Sequence, residues 1–142
     1  MNTTTPSSTT AILQSLSEVA EKSGDIAPYI YKAYFQRCPG SEALMSHIDD
    51  LVKGRMMAEV FKLLMAEDLP KLGRYLRFET KTHKGYGAEP QMYENLLISV
   101  RDTVKKSLGA GWRDEYEQAW QARLQELLHE ITIASGEDSQ AR

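Results

Sequence analysis

Apolar residues recur every three or four positions along most of this chain, the period of helices with one buried face; no segment reads as a strand. Ile12, Leu13, Leu16, Val19 and Ala20 form one stripe that ends near Gly24. Asp25, a residue type suited to an N-cap, precedes a second: Ile26, Ile30, Tyr31, Tyr34 and Phe35, ending at Cys38, Pro39 and Gly40. Met56, Val60, Phe61, Leu63 and Leu64 make a third, and Leu69, Leu72, Leu76 and Phe78 lead on toward His83. Pro90 opens a helix carrying Met92, Leu96, Leu97, Val100, Val104 and Leu108, which the Gly109, Ala110, Gly111 run stops. Trp112, Tyr116, Ala119, Trp120, Leu124, Leu127, Leu128 and Ile131 then mark the last helix. The pattern predicts an all-α domain of six or seven helices over residues 11–135. The Thr/Ser-rich residues 1–10 are expected to be a disordered tail, and 136–142 a flexible one.

Composition narrows the class without naming a function. A chain of 142 residues, 42% apolar and 26% charged, is the size of one domain that can bury its own core. A net charge of -3 gives no general attraction to nucleic acid or to anionic lipid. No apolar run approaches the roughly 20 residues of a membrane helix, and MNTTTPSSTT lacks the basic and apolar regions of a signal peptide, so a cytoplasmic location is expected. Cys38 is the lone cysteine, without an internal disulfide partner or CxxC spacing, and reads as a buried, inert thiol.

His83 is the histidine whose surroundings look arranged. It stands in FETKTHKGYGAEPQMY, where Gly85 and Gly87 stop a helix at or just past the imidazole and Pro90 starts the next. That spacing sets the ring at a corner between two helices, with Tyr93 in the following first turn within reach. A neutral, oriented imidazole facing a pocket is a good metal ligand. A simple capping role is the ordinary alternative for an isolated histidine at a helix end. His129, between Glu126 and Glu130, and His47 read as surface residues.

The run HKGYGAEPQMY resembles the junction of the sixth and seventh helices in bacterial globins, notably the globin domains of flavohaemoglobins. His83 is followed by Pro90 seven residues on and by Tyr93 ten residues on, as in that family. Leu69 and Pro70 stand at the family's spacing ahead of the proximal histidine. PYIYKAYFQRCP, with Tyr31 eight residues before Pro39, is similar to the second helix, and Ala119–Trp120 to the last. The likeness spans roughly residues 10–133. It implies a globin-like fold of six to eight helices holding haem b, with His83 as proximal ligand to the iron. It implies that Tyr31 donates a hydrogen bond to a diatomic ligand (O2, NO or CO) and that Tyr93 orients the histidine; plain aromatic packing is the rival for both. Reversible gas binding would follow, with nitric oxide detoxification conceivable only alongside an external reductase, because the sequence carries no Gly-rich dinucleotide motif. An enzyme label is therefore not assigned. The competing expectation is a haem-free globin-fold sensor or signalling module.

Several positions depart from the family pattern. Met45 stands where a haem-packing phenylalanine is usual. The distal position falls on Met56 if Val60 is matched to the apolar residue one turn on, or on Lys53, with Gly54 next, if the register slides by three; Met57 is a neighbour in either case. Glu79 replaces an expected apolar residue one turn before His83. The glutamate that completes the family's proximal network falls on Ser135.

Overall fold

A computed structural model of the chain describes residues 8–66 and 90–140. Among the described residues there are six α-helices, one short 3-10 turn and no strand, so the all-α reading holds. They are α1 (Ser8–Ser23), α2 (Ala27–Arg37), α3 (Pro39–Leu44), α4 (Asp50–Leu64), α5 (Pro90–Leu108), the turn Gly109–Gly111, and α6 (Asp114–Gln140). α1 takes in residues 8–10 and α6 residues 136–140, which composition marks as parts of the two tails. A sequence of small hydroxyl residues weakens helix propensity only modestly, and a long helix that is already nucleated extends through it.

The helix ends follow local chemistry. Gly24, at φ 69°, closes α1, its N–H returning to the Ala20 carbonyl at 2.9 Å; glycine adopts that left-handed conformation without a Cβ penalty. Asp25 acts one residue away from the expected cap: Ile26 occupies the N-cap position without a side-chain bond, and Asp25 Oδ1 accepts from the Ala27 N–H at 3.0 Å. Asp49 is a true N-cap for α4, its Oδ1 accepting the Val52 N–H at 2.9 Å. Asp49→Ala should cost about 0.5–2 kcal/mol, read as a lower urea midpoint at unchanged slope.

The core lies where α1, α5 and α6 meet one another and where α2 packs on α5, with α4 resting on α6. Leu97, Val100, Val104 and Leu108 of α5 and Tyr116, Trp120, Leu124, Leu127 and Ile131 of α6 are buried on the faces the periodicity assigns. In α1 the stripe is only half right. Ile12 and Val19 are buried, but Leu13 is 50% exposed and Ser15 is fully buried in the core. Ser15 is tolerated there because its hydroxyl donates to the Ile12 carbonyl at 2.7 Å and accepts the Trp120 indole N–H at 3.0 Å. In α4 the most buried positions are Met57 and Leu64, seven residues or two turns apart, while Met56, Val60, Phe61 and Leu63 are half-buried beside them.

Trp112 and Trp120 pack ring to ring at 6.5 Å between centroids, consistent with a packing role for the pair. Cys38 is half-buried rather than buried, with Ser41 Oγ 3.2 Å from its sulfur and 2.8 Å from the Tyr34 hydroxyl. No described helix is long and apolar enough to cross a membrane.

Candidate functional site

Tyr31 is the residue around which a site can be built. Pro28, in the first turn of α2, fixes the helix start, and the apolar phase that follows turns Ile30, Tyr31 and Tyr34 inward. The Tyr31 ring lies 5.9 Å from that of Phe35, one turn on, and its hydroxyl crosses to α4, donating to the Lys53 carbonyl at 2.8 Å. Lys53 answers from the other side, with its ammonium 5.7 Å from the Phe35 ring centroid. Burial, and secondarily the neighbouring Tyr34, push the Tyr31 phenol up to about 12. It is therefore a neutral O–H donor across the physiological range.

A cleft of about 560 Å³ opens where α2 and α4 approach, beside Tyr31 and Phe35. Three carboxylates, Asp25, Glu42 and Asp50, and two ammonium groups, Lys32 and Lys53, line it. Gly54 borders the same space, and a Cβ built on it would meet nothing within 4 Å. Its missing side chain leaves the cleft open rather than letting two backbones touch. Five charged side chains make this cleft a poor cradle for a flat apolar macrocycle, whose burial favours apolar, polarisable contacts.

The other residues singled out by sequence lie elsewhere. Met45 and Met57 are buried in the core, and Met56, Val60 and Tyr93 are half-buried against it. These five are apolar or largely so, and their chemistry suits the flank of a haem as the charged cleft does not. The structure thus brings together Tyr31 and Lys53, and places Met45, Met56, Met57, Val60 and Tyr93 in the apolar packing. His83 lies outside the described residues, as do Glu79, Leu69, Pro70, Leu72, Leu76 and Phe78, and so does the Ser135 side chain. His47 and His129 are exposed, and no group of three or more His, Cys, Asp or Glu among the described residues could hold a metal ion.

One residue that the sequence reading named only as a neighbour, and one that it did not name, prove to be of consequence. Met57 stands one position off the stripe drawn through Met56 and Val60, and a run of two methionines offers no local signal of which faces inward. Arg123 is buried on α6 at 5% exposure. Its signal was present: it falls three residues after Trp120 and four before Leu127, on the apolar phase itself. No family model matches the chain, and no curated protein matches it.

Proposed function

We propose that the chain is a globin-fold protein that binds haem b and reversibly takes up O2, NO or CO. Tyr31 supports this reading most: a buried phenol, kept protonated, projecting from α2 to α4 at the level of Lys53 and Gly54. A polarised diatomic ligand is stabilised by such a donor; the macrocycle itself would lie against the apolar residues and not in the charged cleft that Tyr31 also lines. A bound haem would supply an iron centre for the gas. On the chain's side, the His83 imidazole would hold that iron, in keeping with its junction sequence. Met45, Met56, Met57, Val60 and Tyr93 would exclude water from the macrocycle's faces and edge. Nitric oxide detoxification through this site would draw electrons from a separate reductase.

A haem-free globin-fold sensor is the second reading, and one observation favours it. A phenol has a single proton, and that of Tyr31 is already given to the Lys53 carbonyl. Serving a ligand would require Tyr31 to leave that carbonyl. Titrating hemin into the full chain separates the two. The haem reading expects saturation at one hemin per chain with a sharp Soret band; unsaturable, featureless uptake would leave the sensor reading in its place.

A further inference from the structure

We propose that the cleft between α2 and α4 binds a small zwitterion of the amino-acid type, carrying one ammonium, one carboxylate and an apolar side group. The haem reading has no use for this space, since the macrocycle would lie among the apolar residues. A volume of about 560 Å³ suits a small molecule, whose sites run from about 300 to 1,000 Å³. The charges that line it are of both signs and unmatched. Among the described residues neither Lys32 nor Lys53 forms an ion pair, and neither do Asp25, Glu42 and Asp50. Opposite charges elsewhere in the fold do close up: Arg37, Lys105 and Arg113 hold Asp102, Glu117 and Glu18 at 2.9, 2.9 and 3.0 Å.

Two of the lining charges are already engaged. Asp25 Oδ1 accepts the Ala27 N–H at 3.0 Å, and the Lys53 ammonium rests 5.7 Å from the Phe35 ring centroid. Lys32, Glu42 and Asp50 are left, all exposed and open to a ligand. Concave walls focus the field of such groups, so a ligand charge that replaces their water gains more there than on open surface. A lone cation would meet Glu42 and Asp50 but be repelled by Lys32. A lone anion would meet Lys32 and be repelled by the carboxylates. A molecule with both charges answers both. Ala27, Pro28 and the rings of Tyr31 and Phe35 form the apolar part of the lining, where its side group leaves water.

The test is titration of the full chain in low-salt buffer with L-phenylalanine, with phenethylamine (its ammonium alone) and with hydrocinnamate (its carboxylate alone). Calorimetry gives the affinities, and amide shifts in nuclear magnetic resonance give the place. L-phenylalanine should bind saturably, at least about tenfold more tightly than either one-charge analogue. It should move the amide of Gly54, which borders the cleft. Removing charges should have crossed effects. Lys32→Gln should weaken L-phenylalanine by about tenfold and leave phenethylamine no weaker. Glu42→Gln combined with Asp50→Asn should weaken L-phenylalanine by a similar factor and leave hydrocinnamate no weaker. All three side chains are exposed, so the variants should keep the wild-type helical content, which circular dichroism checks. No saturable binding of L-phenylalanine by wild type, equal binding of either analogue, or the same loss for all three ligands in each variant would overturn the proposal.

Discussion

Trp120→Ala should unfold much of the population under conditions where wild type is folded. The side chain is fully buried, so its removal deletes the largest apolar contact on α6 and leaves a void between α6 and α1. Phe/Trp→Ala substitutions in packed cores cost about 3–5 kcal/mol, against a total of about 5–15 kcal/mol for an ordinary domain. The polar part adds to this, because losing the indole N–H takes away one of the two hydrogen bonds of a Ser15 hydroxyl with no access to water. Trp120→Phe isolates that contribution. It keeps most of the apolar volume and should cost about 1–3 kcal/mol. Urea unfolding followed by circular dichroism reads both, and the order wild type, Phe, Ala in falling midpoint is the expected result. Equal midpoints for wild type and Trp120→Ala would mean that the α1–α6 contact is not what holds the core.

Tyr31→Phe has two readouts that move for different reasons. Removing the hydroxyl deletes the bond to the Lys53 carbonyl, a neutral pair worth about 0.5–1.5 kcal/mol, so stability should fall by that amount whatever the protein binds. If the haem reading holds, the same substitution removes a donor to a polarised ligand, worth about 1.5–3 kcal/mol. O2 release would then quicken by about 10- to 100-fold. Stopped-flow displacement of O2 measures it. A stability loss with unchanged release would place Tyr31 in helix packing alone, its proton never leaving Lys53. The phenol stays protonated well above neutrality because burial raises its pKa to about 12. Release should therefore show no ionisation of Tyr31 between pH 6 and 9 (a window set roughly by where a neutral donor is needed).

The long amphipathic segments were legible because their faces are decided by burial alone. From Leu97 to Leu108 and from Tyr116 to Ile131 each apolar residue at a three- or four-residue step is buried or half-buried, and no special chemistry competes with that rule. The misses have a common cause. Ser15 and Arg123 are polar residues on buried faces, and hydrophobic periodicity passes over a polar residue even when its position fits the phase. What makes Ser15 acceptable is a partner 105 residues away, which no local pattern contains. Leu13 was placed in the core by being apolar, yet it is half exposed because the phase set by Ile12, Ser15 and Val19 turns it outward. Of the candidate site, the sequence pointed to Tyr31, but not to where its proton goes. A side chain's inward phase can be read from spacing, whereas the backbone carbonyl it reaches belongs to another helix. The charged lining of the neighbouring cleft was hidden for the same reason: Lys32, Glu42 and Asp50 look like ordinary surface, and Asp25 and Lys53 read as a helix cap and a distal candidate, until α2 and α4 are set beside each other.

The claim on which the haem reading stands is that one imidazole holds the iron. The direct measurement is the visible spectrum of the full chain purified with haem available, compared with His83→Ala prepared identically and checked for unchanged helical content. A Soret band in wild type that is lost in the folded variant, and regained when free imidazole is added, is the predicted result. A band of the same position and intensity in both proteins, or none in either, would contradict it.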